Sequence, residues 1–186
     1  MRIASILENQ NIEKRIAITP EIVKKYISLG FEVLLQESYG EHLGIKDEEY
    51  KTIGTQILKD EKEIINSANI IVQLGLPSED KSSLIKENQT LIGILNPYNN
   101  EKKIKALVKK NINVLSLELL PRITRAQSMD ILSSQANLAG YKAVIESFAN
   151  FKKAIPMMMT AAGTIPAAKV LVVGAGVAGL QAIATA

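Results

Sequence analysis

Gly174, Gly176 and Gly179 stand in the spacing G-x-G-x-x-G, with Ala175, Val177 and Ala178 between them. In that spacing each glycine has its own task. The first permits a tight turn, the second lets backbone come up against a pyrophosphate, and the third lets a helix pack closely on a strand. The helix that follows offers unpaired N–H groups and a positive dipole end to the phosphates. The chemistry indicated is dinucleotide binding. Glycine-rich turns are often only turns, so the flanks matter. Lys169 to Val173 (KVLVV) reads as a short apolar strand before the glycines, and Leu180 to Ala186 as a small, helix-compatible run after them. The acidic residue that holds the adenosine ribose, about 20 positions on, lies outside the sequence. The chain is therefore expected to contain only the first wall of such a site.

A second cluster lies in Pro121 to Tyr141, PRITRAQSMDILSSQANLAGY, which crowds Arg122, Arg125, Gln127, Ser128, Asp130 and Ser133 into one turn and a helix start. Two readings stay open. So many hydrogen-bonding groups near a topological switch suit a ligand, or Ser128 and Asp130 merely cap a helix while the arginines are solvated.

These residues need elements to hold them. Arg2 to Leu7 and Phe31 to Leu35 read as strands. The helix between them starts at Thr19-Pro20-Glu21, carries Ile22, Val23, Tyr26, Ile27 and Leu29 inward, and stops at Gly30. Asp47 to Ile53 reads as a short helix, Ile57 and Leu58 open an apolar segment, and Asp60 to Asn66 is a charged helix. Asn69 to Leu76 and Leu91 to Leu95 are runs of the kind buried in a parallel sheet; the basic helix Glu101 to Lys110 and the strand Asn113 to Leu117 follow. Strands alternating with helices predict an α/β fold with a parallel sheet covered on both faces and ligands at the carboxyl ends of its strands.

From Ser128 the pattern becomes one long helix reaching about Lys153. Ser128 caps it, Leu132, Ala136, Ala139 and Ala143 share its packing face, Lys152 and Lys153 suit its last turn, and Pro156 ends it. The expected organisation is two Rossmann-like parallel-sheet lobes. The first, nearly complete, spans residues 1–125; a linking helix and connector span 126–166; and 167–186 begin the second, nucleotide-binding lobe. With no sheet to bury it, Val170 to Ala186 is expected to be poorly ordered or to pack on the first lobe or a dimer partner.

A composition 47% hydrophobic and 22% charged suits a core-forming globular protein. The net charge of +3 is scattered, and the densest basic stretch, Lys102 to Lys110, interleaves with Ile104, Ala106, Leu107 and Val108 at helical spacing. It reads as a solvated helix face, so nucleic acid is not expected as a partner. The absence of cysteine excludes disulfides and thiolate metal sites and fits a reducing compartment. No metal is expected. No run approaches the roughly 20 apolar residues of a membrane span, and the polypeptide itself is expected to be soluble.

Three segments carry a family resemblance: ENQNIEKRIAITPE, RITRAQSMDILSSQANLAGY and TAAGTIPAAKVLVVGAGVAGLQA. Together they resemble the NAD(H)-binding component, the alpha subunit, of proton-translocating NAD(P) transhydrogenase, and RITRAQSMD is the most specific mark. The likeness runs along the chain but covers half or less of that component. The wider superfamily includes alanine dehydrogenase, which shares the glycine loop and the pattern of Glu13, Arg15, Ala17, Thr19 and Pro20.

The resemblance implies that Arg122, Gln127, Asp130 and Ser133 surround the nicotinamide and its ribose. Asp130 and Ser133 would hold the carboxamide, Gln127 would bond a ribose hydroxyl and help align two nicotinamides, and Arg122 would orient the carboxamide end or brace Asp130. Gln127 and Asp130 are the candidate catalytic residues; Gly174, Gly176, Val177 and Gly179 complete the cofactor site. It also implies hydride transfer from NADH to NADP(H) on a separate component, coupled to proton translocation. The partners implied are membrane-spanning and NADP-binding components and a second copy in a homodimer, on the cytoplasmic side of the inner membrane. Direct hydride transfer needs positioning and exclusion of water rather than a protein base. The chain alone is expected to be inactive.

Alanine dehydrogenase chemistry adds a lysine and a histidine to an arginine, to polarise a keto acid and shuttle a proton. The corresponding strand ends read Val72-Gln73-Leu74-Gly75-Leu76-Pro77 and Leu95-Asn96-Pro97, with neither group present. Arg15 then reads as a structural or inter-lobe residue, and His42, in the polar turn YGEHLGI, as a surface residue. Two alternatives stay open beside transhydrogenase: a non-catalytic fragment serving at most in folding or assembly, and an amino-acid dehydrogenase relative with altered chemistry.

Overall fold

Alternation along the strands decides how the first part of the chain folds. In β2 (Glu32–Gln36), Val33 and Leu35 fall on one side and Leu34 on the other, and all three are buried, so the strand must be covered on both faces. The computed structural model describes residues 1–186 and divides into two units, Met1–Leu120 and Pro121–Ala186.

In the first unit, β1 (Arg2–Ser5), β2, β3 (Gln56–Leu58), β4 (Ile70–Gln73), β5 (Thr90–Gly93) and β6 (Asn113–Ser116) form one sheet in the order β3-β2-β1-β4-β5-β6. Every pairing is parallel. Helices α1 (Pro20–Ser28) and α2 (Asp47–Ile53) supply Val23 and Tyr50 to the core on one face, with Ile3, Val33 and Leu35. On the other, α3 (Glu61–Ser67), α4 (Glu79–Leu84) and α5 (Glu101–Lys109) bring Ile64, Ile65, Leu84 and Leu107 against Ala4, Leu34, Ile71 and Leu91. This is the α/β architecture the alternating pattern predicts.

Differences from the expected elements lie at their ends. β1 stops at Ser5 and not at Leu7, because the Leu7 N–H turns to the Gln36 side-chain oxygen at 2.8 Å. β4 stops at Gln73 and not at Leu76, because the Leu74 N–H bonds to the Glu8 carboxylate at 2.6 Å. Helix α4 has no counterpart among the expected elements: it is six residues long with one apolar side chain, too short for a periodic signal.

The second unit holds α6 (Ile131–Asn150), a two-stranded antiparallel hairpin of β7 (Met158–Thr160) and β8 (Gly163–Ile165), and α7 (Val177–Thr185). Three expectations are corrected here. Helix α6 is capped by Asp130 and not by Ser128, which lies in a 3-10 stretch over Thr124–Met129, and it ends at Asn150, short of Lys152 and Lys153 and well before Pro156. The expected strand Lys169 to Val173 is not a strand: nothing pairs with it, and Leu171 and Val173 are 87% and 91% exposed. Helix α7 packs on α6 rather than on the first lobe or a partner. That contact also shifts the packing face of α6, whose covered row is Ala136, Gly140, Val144 and Phe148; of the four residues expected there only Ala136 belongs to it.

A buried polar knot ties β1 to the following loop. The Tyr39 hydroxyl lies 2.8 Å from Ser5 Oγ and accepts from the N–H groups of Ala17 at 3.1 Å and Ile18 at 3.3 Å. Tyr39→Phe strands those donors, and we expect about 1–3 kcal/mol loss of stability in urea denaturation. A loss under about 0.5 kcal/mol would show that water takes the hydroxyl's place.

Candidate functional site

In the second unit the chain turns sharply at Gly174, whose φ of +107° is the left-handed region that favours glycine. Gly176 follows as N-cap of α7 in extended conformation, and a side chain placed there would meet nothing within 4 Å. Gly179 lies so close to the turn that a Cβ would stand 2.0 Å from the Gly174 carbonyl oxygen. The first α7 hydrogen bond runs from Leu180 N–H to Gly176 C=O at 2.8 Å. The N–H groups of Val177, Ala178 and Gly179 precede it, and these are the donors a helix start leaves for a ligand. A tight turn, an open approach and a close helix seat are thus present without the preceding strand.

The polar cluster is built by the start of α6. The Asp130 carboxylate accepts from Ser133 N–H at 3.0 Å through one oxygen and from Ser133 Oγ at 2.7 Å through the other. Ser133's hydroxyl proton is committed to Asp130, while both carboxylate oxygens keep lone pairs for a further donor. These two Ser133 donors, with a smaller pull from the Arg122 charge, hold the Asp130 carboxyl below the ordinary aspartate range. Arg122, Gln127 and Asp130 line a recess of about 250 Å³. Ile123 and Thr124 line it too, and no sequence signal marked them: they are ordinary residues brought round by the 3-10 turn. Ser133 meets the recess only through Asp130. The alternative cap reading of Asp130 is therefore true of its geometry and leaves it capacity to bind.

The model of the alanine dehydrogenase/PNT N-terminal domain matches residues 6–139, and that of the corresponding C-terminal domain matches residues 143–186. The chain belongs to this family.

The chain is 48% identical to the first of the polypeptides that make up NAD(P) transhydrogenase subunit alpha in Rickettsia prowazekii, over 100% of its own length and 50% of that relative. It is 48% identical to the protein of the same name from Rhodospirillum rubrum, with the same coverage. Among solved structures, the transhydrogenase from Sinorhizobium meliloti superposes with a TM-score of 0.93 at 47% identity, covering 98% of this chain and 55% of that one. An L-alanine dehydrogenase shares the fold, with a TM-score of 0.82 at 21% identity over 99% of this chain and 51% of its own. The chain spans about half the length of the curated relatives it matches.

Within that family the first unit's own crevice is informative. Its sheet order reverses between β1 and β4, where doubly wound sheets open a cleft. A cavity of about 390 Å³ lies there, lined among others by Glu8, Gln36, Gln73 and Lys81. Glu8, whose pKa burial raises, accepts from Leu74 N–H at 2.6 Å and Gly75 N–H at 3.3 Å. Gln73 is buried, accepting from Ser5 Oγ at 3.1 Å and donating to Ile6 C=O at 3.2 Å. Asn96 takes a left-handed φ of +48° and donates its N–H to Glu118 at 2.6 Å. Neither strand end carries a proton-transfer group. Arg15 forms a two-point ion pair with Glu13, at 2.8 and 2.6 Å. His42 is a surface residue whose Nε2 bonds the Lys14 carbonyl at 2.8 Å.

The depressed Asp130 carboxyl gives the cap a defined pH dependence. A lowered folded-state pKa means the cap contributes in full above the ordinary aspartate value of about 3.9 and is lost as pH falls through the lower folded value. We expect Asp130→Ala to speed amide exchange at Ser133 and Ser134 at neutral pH, and acid to do the same in the wild type, while amides in β1 and β4 stay protected. Unchanged exchange at Ser133 in the variant would exclude the cap.

Proposed function

We propose that this chain is the NAD(H)-binding portion of a proton-translocating transhydrogenase. The observation that carries the reading is the pairing, within one unit, of a glycine turn with free helix-start amides and a polar recess containing Arg122, Gln127 and Asp130. The family assignment and the identity to transhydrogenase alpha subunits support it.

In this reading NADH supplies the hydride, which passes to NADP on a separate component. The protein binds, orients and excludes water. Val177, Ala178 and Gly179 direct N–H groups at the pyrophosphate, with Gly174 and Gly176 shaping the approach. Asp130 accepts from the carboxamide NH2, and Ser133 fixes the Asp130 carboxylate in place. Because Ser133's proton is already used, the donor to the carboxamide oxygen is Arg122, which also braces Asp130. Gln127 bonds the nicotinamide ribose and helps align the two rings. No residue abstracts a proton, which agrees with the amide side chains at the two strand ends of the first unit. The partners are membrane-spanning and NADP-binding components and a second copy in a dimer, at the cytoplasmic face of the inner membrane. No helix of this chain is long and apolar enough to cross a membrane. Hydride transfer belongs to the assembled complex, with this chain alone inactive.

The test is NADH-dependent reduction of an NADP analogue by the complete complex. Asp130→Asn combined with Gln127→Asn is expected to lower the rate at least tenfold. Full activity in the double variant would sink the site assignment, and no NADH-dependent reduction in the wild-type complex would sink the function.

A further inference from the structure

Helices α6 and α7 approach at one point more closely than side chains allow. Gly140 is buried on α6, and a Cβ there would stand 2.1 Å from the Ala178 carbonyl oxygen and 2.9 Å from its carbon. Both atoms are backbone in the first turn of α7, so no rotamer change relieves the clash, and one helix has to move. Glycine weakens an isolated helix relative to alanine, so local helix stability does not favour residue 140 as it stands; the neighbouring backbone accounts for it.

A second contact fixes the approach lengthwise. Asn137, one turn before Gly140, donates its side-chain amide to Gln181 Oε1 at 3.0 Å, and Gln181 lies three residues beyond Ala178. Helix α6 thus carries Asp130 and Ser133 at its start and holds the first turn of α7 about 14 Å farther along its axis, at the α-helical rise per residue. That turn bears the free amides of Val177, Ala178 and Gly179.

We propose that Gly140 is a positioning residue for the dinucleotide site. By letting α7 sit directly on α6, it sets the span between the amides that meet the pyrophosphate and the Asp130 recess that meets the nicotinamide, with the Asn137–Gln181 bond holding the register. The inference rests on the NAD(H) reading above. A packing role alone would affect all ligands together; a spacing role falls on those that reach the α7 amides.

The experiment is titration of the chain with NADH, ADP-ribose and reduced nicotinamide mononucleotide, with circular dichroism to establish folding. Gly140→Ala is expected to weaken NADH and ADP-ribose at least tenfold and to change the mononucleotide, which reaches the recess but not the far side of the turn, by less than twofold. Asn137→Ala introduces no clash and is expected to weaken the first two about threefold. Unchanged NADH affinity in Gly140→Ala, or equal loss across all three ligands, overturns the proposal. If Gly140→Ala does not fold, unchanged affinities in Asn137→Ala overturn it. A wild-type chain that binds none of the three overturns the NAD(H) reading, and the proposal with it.

Discussion

A strand exists only where its backbone is met. Its N–H and C=O groups lie along two edges, and each must find a partner in a neighbouring segment or in water. In the first unit the central strands have such neighbours: β1 lies between β2 and β4, and β4 between β1 and β5. The apolar runs can then be buried on both faces, and the helices close over them. In the second unit Lys169 to Val173 has the composition of a strand and no neighbour, and it runs exposed toward the glycine turn. The two units differ in how many partners each apolar run finds.

The same accounting of donors separates the two places where a ligand could bind. At the carboxyl ends of the first unit's strands, the chain's own side chains occupy the free amides. Gln36 takes Leu7, Glu8 takes Leu74 and Gly75, and Glu118 takes Leu95 and Asn96. At the start of α7 no side chain does so: Gly176 is the N-cap and has no side chain to offer. Donors left free beside a glycine turn form a place for phosphate. The ligand reading therefore follows the unmatched amides, which lie in the less elaborate of the two units.

The two candidate motifs are far apart in sequence, and α6 with α7 brings them into one frame. Asp130 acts twice there, as the cap that starts α6 and as a wall of the recess. A carboxylate with two oxygens can accept from Ser133 and retain capacity for a ligand donor, so cap and binding group are compatible readings of one residue.

Period and punctuation were enough to read most of the first unit. Thr19-Pro20 and Gly30 bracket α1, Asp60 caps α3, and the apolar runs give the parallel strands, because caps and alternation are local properties carried by neighbouring residues. The glycine spacing and the Arg122 to Ser133 cluster were legible for the same reason. What tertiary structure decided depends on what lies opposite. It ended β1 and β4 with side chains from other loops and denied Lys169 to Val173 a partner. It turned the covered row of α6 to Ala136, Gly140, Val144 and Phe148, and it gave Gly140 its task against the Ala178 carbonyl. No single segment contains that information, since a strand's edge, a helix's buried face and a glycine's close approach are each set by the element packed against them.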